Sequence, residues 1–353
     1  MNQNRLNFKS FSFNSPEVLN LRDKILKQGT LIKDLDIQIN YGIKTGYNKA
    51  FIIDESTKNR LINEDSKNKE IIKPLLRGRD LDKWKYFYKN LYILIIKYGE
   101  GENIKNNYKS IFDYLEQHDI KLKNRGQVKN GQHHWLELDN NPSDNYIALF
   151  EKEKIMYSEI VPEPRFILDY GTYYMEATGF ILNSDSLNLK YLLGLLNSKL
   201  LFWYFKDIGY NLGGKGYRYK KIFIEQLPVK FTNESTENKV NNIVDKLITL
   251  NKQVVDEIKR FKIILIEKYN LKHISKNLEK YYELTEKNFF NELKKQKCYI
   301  YDEEKLTLYF KTSSKNILSL IDEIKKLEID LNKIVYEIYS LNDDEIKIIE
   351  NSS

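Results

Sequence analysis

Two stretches of this chain concentrate side chains able to grip and read a nucleic acid. The first is Arg125-Gly126-Gln127-Val128-Lys129-Asn130-Gly131-Gln132-His133-His134-Trp135. Its Gln and Asn amides match the donor–acceptor edge of adenine, and its Arg and Lys match the two acceptors of guanine. The second begins with the glycine loop Gly213-Gly214-Lys215-Gly216. It continues as Tyr217-Arg218-Tyr219-Lys220-Lys221, where phenols and cations alternate. Such residues contact phosphates, while Arg218 could read a guanine through two donors. Plainer readings compete: a polar loop in the first case, and in the second a strand whose tyrosines pack and whose lysines face water. In a third stretch, Arg77-Gly78-Arg79-Asp80, both arginines could serve DNA, or Asp80 could close an internal ion-pair turn.

The apparatus of catalysis is not visible beside these groups. An amino-methyltransferase needs a glycine-rich cofactor loop and an Asp/Asn-Pro-Pro-aromatic tetrad, and Asn140-Asn141-Pro142-Ser143 has neither the second proline nor the aromatic. Gly213 to Gly216 has no clear strand before it or helix start after it, unlike a dinucleotide or phosphate loop. Glu303-Glu304-Lys305 matches the end of a metal-nuclease site only formally, with no Pro-Asp pair at a useful distance upstream. His118, His133, His134 and His273 lack metal-ligand spacing, and Cys298 is alone. The chain therefore reads as catalytically empty, with no cofactor or metal expected.

Composition is consistent with this. The 353 residues are 41% hydrophobic and 30% charged, and carry a net charge of +7. That describes a globular chain without a membrane-spanning run, and Met1 to Arg5 lacks the apolar core of a secretory signal. A cytoplasmic protein is expected. The charge is unevenly placed. Residues 1–230 hold 36 basic and 28 acidic side chains, +8, whereas residues 231–353 hold 21 and 22, −1. A polyanion would dock on the first part.

The elements that must position these groups divide the same way. Pro16 to Gln28 reads as a helix with proline in its first turn and Gly29 at its end. Short strand-like runs follow at Ala50-Phe51-Ile52-Ile53, residues 91–96, residues 154–159 and Phe180-Ile181-Leu182. Residues 187–205, rich in leucine, read as one buried helix. Beyond Pro228 the pattern changes. Val240, Val244, Leu247, Asn251, Val254, Ile258, Phe261 and Leu265 alternate steps of four and three. So do Ile317, Leu320, Ile324, Leu327, Leu331, Ile334, Ile338 and Leu341. Such a period specifies a coiled-coil seam, here an antiparallel pair, or two amphipathic helices on a globular core. Asn251 falls inside the first seam, where a buried amide can fix register. Residues 269–315 read as a small insert: a helix over residues 288–293, then a hairpin pairing residues 298–301 with 306–310.

Several segments, taken in order, resemble the TaqI-like C-terminal specificity domain of type IIG restriction-modification enzymes and related adenine-specific DNA methyltransferases. They are Tyr41-Gly42-Ile43-Lys44-Thr45-Gly46-Tyr47-Asn48-Lys49-Ala50-Phe51-Ile52-Ile53, Ile72-Lys73-Pro74-Leu75-Leu76-Arg77-Gly78-Arg79-Asp80-Leu81, residues 154–166, residues 191–199, Gln226-Leu227-Pro228 and residues 329–341. The resemblance implies a domain that holds duplex DNA and reads a short sequence, followed by helices acting as a spacer, as in type I specificity subunits. It implies a partner too, a DNA adenine methyltransferase subunit or domain that binds S-adenosylmethionine, or an endonuclease. It adds Lys44, Thr45, Tyr47 and Asn48 to the candidate DNA contacts. Lys44, Thr45 and Asn48 carry phosphate-directed donors, and Gly42 and Gly46 permit approaches that a Cβ would block. A structural turn opening a strand is the alternative for the glycines.

The expectation is thus an α+β chain with two parts. Residues 1–230 form a mixed-sheet DNA target recognition domain, and residues 231–353 a helical coiled-coil spacer with its insert. The alternative function is assembly, with the helices docking a methyltransferase subunit or a second copy of the chain.

Overall fold

A computed structural model describes residues 15–298 and 300–351. The architecture is α+β, as expected. The first helix, Pro16–Gln28, buries Leu21 and Ile25 and stops at Gly29, where a Cβ would lie 2.8 Å from Pro228. That close approach lets Thr30–Leu31 pair antiparallel with Pro228–Val229, so the two ends of the N-terminal part meet.

Two four-stranded sheets form the interior of this part. One runs Phe166–Tyr170, Glu153–Ser158, Gly179–Asn183, Gln38–Tyr41, antiparallel throughout. The other runs Tyr174–Met175, Ile72–Leu76, Leu91–Leu94, Ile52–Asp54, and its first pair is parallel. Side chains alternate across the first sheet, as the pleat requires. Tyr157, Phe166 and Phe180 enter one hydrophobic cluster, while Met156, Ile167 and Ile181 enter the other. The sheet is therefore the wall between two cores, which explains why its strands are apolar on both faces. Of the run expected at residues 50–53, Ala50 and Phe51 lie instead in the helical turn Asn48–Phe51, and the strand starts at Ile52.

The single helix expected over residues 187–205 is two, Leu189–Leu196 and Lys199–Ile208. Polar demand breaks it. The Asn197 side chain accepts from the Phe166 amide and donates to the Phe166 carbonyl, at 3.2 and 3.0 Å. Ser198 caps the second helix by accepting from the Leu201 amide.

The long helices Glu234–Tyr269 and Glu303–Ile338 run antiparallel: Tyr269 reaches Asp302, Ser313 reaches Glu257, and Val244 and Leu331 both face Gly194. The whole heptad set of the first helix, Val240 to Leu265, is buried. Its stripe is shared. Val240 and Val244 also press on the Leu189–Leu196 helix, where a Cβ on Gly194 would lie 2.8 Å from Val240. Asn251 is buried too, but its carbonyl oxygen accepts from Lys85 Nζ at 2.9 Å and its amide donates to the Leu247 carbonyl. Lys85 belongs to a small hairpin, Leu81–Asp82 with Lys85–Tyr86. At the tip of this hairpin Trp84 is buried, with φ +67° and its indole N–H donating to Glu328 at 2.7 Å.

The hairpin expected within the insert is absent. Asp302 accepts from the Lys305 amide and caps the second long helix, Glu303 and Glu304 fill its first turn, and residues 306–310 are helical. Leu306, Phe310, Ser313 and Ile317 continue the four–three spacing upstream, a helix signal that outweighs the local strand propensity. On the other side of the expected hairpin, Cys298, Ile300 and Tyr301 form no strand, and Tyr299 lies outside the described residues. The short helix is found, as Glu286–Lys295. Among the described residues no helix is long and apolar enough to cross a membrane.

Candidate nucleic-acid interface

Strand direction collects the loops that matter. The strands ending at Tyr41, Leu76, Ser158 and Met175 finish at one edge of the two sheets, and those starting at Phe166 and Gly179 begin there. Residues 42–48, 77–80, 159–165 and 176–178 therefore emerge side by side.

The first loop is held from both sides. A Cβ on Gly42 would lie 2.1 Å from the Glu176 carbonyl oxygen. Gly46 has φ +68°, and a Cβ there would lie 2.4 Å from the Asp139 carboxylate. Both glycines are thus required by close approach. Thr45 is buried and donates to Asn48 Oδ1, while Asn48 Nδ2 donates to Glu176 Oε1 at 2.6 Å. These two side chains shape the loop. Tyr47 is half-buried, its ring edge-on to His118 at 5.9 Å. Lys44 is exposed, its ammonium 5.7 Å from the Tyr41 ring.

Arg125 ties this loop to the next. Its side chain is 4% exposed, and all five N–H donors are used. They go to the carbonyls of Leu122, Thr45, Trp135 and Glu137 and to Asp139 Oδ1, at 2.7–3.1 Å. Burial lowers its pKa, and Asp139 opposes that. His133 is buried with Nε2 3.3 Å from Asp139. His134 lies against Gly101, and burial holds its pKa below the usual imidazole value. Gln127 exchanges hydrogen bonds with Asn140. Lys129, Asn130 and Gln132 are exposed.

Arg77 makes a bidentate pair with buried Asp80, Nε and Nη2 each at 2.9 Å, and this pairing raises its pKa. The neighbouring Gly78 amide donates to Thr178, and Arg79 is exposed.

The Tyr210–Asn211 and Tyr217–Arg218 strands join the same edge through residues 159–161. Tyr217 and Arg218 pair with Val161 and Ile160, the Tyr219 amide donates to the Glu159 carbonyl, and the Glu159 amide donates to the Thr178 carbonyl. Tyr219 is buried and stacks on Phe205 at 4.1 Å, and half-buried Tyr217 packs edge-on against Phe202 and Phe205. Lys215 projects at the tip, Lys220 is half-buried, and exposed Lys221 lies 3.5 Å from Glu225.

The structure thus brings residues 42–48, 77–79, 125–141 and 210–221 onto one connected surface. Lys44, Arg79, Lys129, Lys215 and Lys221 face solvent there. Thr45, Arg125, His133 and Tyr219 lie beneath it. Glu159, Arg165, Glu176 and Asp139 also belong to this surface, although no sequence motif marks them as contacts. The one local hint was Pro162-Glu163-Pro164-Arg165, a stiff loop carrying a cation.

Comparison with known proteins bears out the resemblance. Residues 73–229 match the TaqI-like C-terminal specificity domain, and residues 233–335 match a domain of unknown function, DUF8810. The opening motif at residues 41–53 precedes the matched span. Among solved structures, the chain is similar to the type IIL restriction-modification enzyme MmeI, determined in complex with DNA. The identity is 12%, the TM-score 0.48, and the match covers 88% of this chain and 36% of that one. It is also similar to the type IIG restriction endonuclease BpuSI, at 10% identity and TM-score 0.41, covering 92% and 34%. The chain spans about a third of the length of these two enzymes. No curated protein sequence matches it.

Proposed function

We propose that this chain recognises a specific double-stranded DNA sequence for a restriction-modification system. Residues 1–230 make the contact, and the helical residues 231–353 serve as a spacer. The observation that carries this reading is the convergence, at one sheet edge, of residues 42–48 with loops from the matched span, on a surface where Lys44, Arg79, Lys129 and Lys215 are exposed. In this reading Lys44, Arg79, Lys129, Lys215 and Lys221 neutralise phosphates, and Asn130, Gln132 and Arg218 read base edges. Chemistry on the DNA falls to an adenine methyltransferase, as a separate subunit or a further domain, which holds S-adenosylmethionine.

The test is selection of bound duplexes from a random pool by the purified chain. A shared sequence motif is expected, together with affinity that falls steeply and log-linearly as salt rises. Enrichment without a motif, or no duplex binding at modest ionic strength, would overturn the reading.

A further inference from the structure

Two arginines at this edge are built alike. Arg218 Nε lies 3.6 Å from Glu159 Oε1, and Arg165 Nε lies 3.5 Å from Asp82 Oδ1. Both Nε atoms are sealed from solvent and have no hydrogen-bond partner, yet the two side chains remain 36% and 31% exposed. Each carboxylate thus stands beside the buried Nε edge of its guanidinium, and what faces solvent excludes Nε. Glu163 Oε1 lies 3.9 Å from Arg165 Nη2, outside hydrogen-bond distance, and Asp82 is shared with Lys85 at 3.7 Å. Arg77 is the contrast, closed on Asp80 by two bonds of 2.9 Å. The two looser pairs sit at either end of one segment, residues 159–165, whose strand Ile160–Val161 pairs with Arg218 and Tyr217.

A buried N–H without an acceptor is costly, and where one recurs it calls for an explanation. A carboxylate beside the Nε edge of a guanidinium supplies one: it fixes the plane of the fork and leaves the Nη donors without a hydrogen bond, for a ligand with two adjacent acceptors. In duplex DNA that ligand is guanine, with O6 and N7 in the major groove. Resting on the DNA-recognition reading above, we infer that Arg165 and Arg218 each read one guanine, and that Asp82 and Glu159 are positioning residues that aim them.

Target selection with the full chain and its variants tests this, with thermal melting as a check on folding. The wild-type motif is expected to contain two guanine positions. Arg218→Ala and Glu159→Gln should relax the same one, and Arg165→Ala and Asp82→Asn the other, each by roughly 5- to 150-fold. Binding to random duplex should change far less. If an alanine variant does not fold, Arg218→Lys or Arg165→Lys should still lose its guanine, since lysine keeps the charge without the fork. A motif in which Glu159→Gln leaves the Arg218 position unchanged, or in which all four variants weaken every sequence equally, would overturn this inference alone. Selection that yields no motif even for the wild-type chain would overturn it together with the functional reading.

Discussion

The loop edge of the N-terminal part and the pair of long helices solve the same problem in opposite ways. The helices bury a periodic apolar stripe, so their partners are set by a pattern that recurs every three or four residues. The loop edge is held by single polar hubs that join distant segments. Arg125 gathers carbonyls from residues 45 to 137, and Glu176 is met by Asn48 across 128 positions. The first design leaves its surface nearly neutral. The second leaves Lys44 and Lys129 facing out above an arginine satisfied by four carbonyls and Asp139.

The sharpest way to break this contrast is to remove the hub. Arg125→Met should destabilise the chain by about 3–5 kcal/mol in denaturant unfolding, because it strands Asp139 and four carbonyls. A loss well under that range would mean the loops do not depend on it. Asn251 is where the polar strategy enters the apolar seam. Asn251→Leu should cost about 1–3 kcal/mol by leaving Lys85 without its acceptor, and adding Lys85→Met should recover much of the loss. Additive losses would show that the two side chains do not act together.

A smaller effect concerns the C-terminal helix Asp343–Asn351, which clasps the rest of the fold through Lys24–Glu345 and Lys199–Glu350. Burial pushes both carboxyls up, but hydrogen bonds from Lys24 to Glu345, and from Lys199 and Tyr336 to Glu350, outweigh it and hold them below the usual value. Their contribution is therefore present above the ordinary carboxylate pKa and lost as pH falls through the depressed folded values. A Glu345→Gln, Glu350→Gln double variant should show a flatter loss of stability in acid, by under about 1 kcal/mol. An unchanged acid profile would remove the clasp from the account. Smallest is Lys44→Ala, which should weaken binding to all duplexes alike and reduce the salt slope by about one, whereas Lys333→Ala on the second long helix should do neither.

How much was legible follows from the same contrast. The first helix, from Pro16 to Gly29, and the buried stripe from Val240 to Leu265 were readable because spacing and terminal residues are local. The hairpin expected to pair residues 298–301 with 306–310 is absent because the helical period through Leu306, Phe310, Ser313 and Ile317 outweighs the local β-rich composition. The break at Asn197 was invisible because its cause, the Phe166 backbone, lies 31 residues away. Of the candidate contacts, the segments were legible and the roles of individual side chains were not. Nothing in the sequence says that Arg125 turns inward while Lys129, four residues on, turns out.

The sequence by itself determined the α+β division, the charge asymmetry and the order of the candidate loops, because periodicity, net charge and short motifs are properties of residues near one another along the chain. Only the tertiary structure decided which cations reach solvent, where Asn251 finds its partner, and that Glu159 and Asp82 stand beside the Nε atoms of two arginines. Each of those depends on which carbonyl or carboxylate from a remote segment arrives first. A buried polar group must take the partner that the fold presents to it.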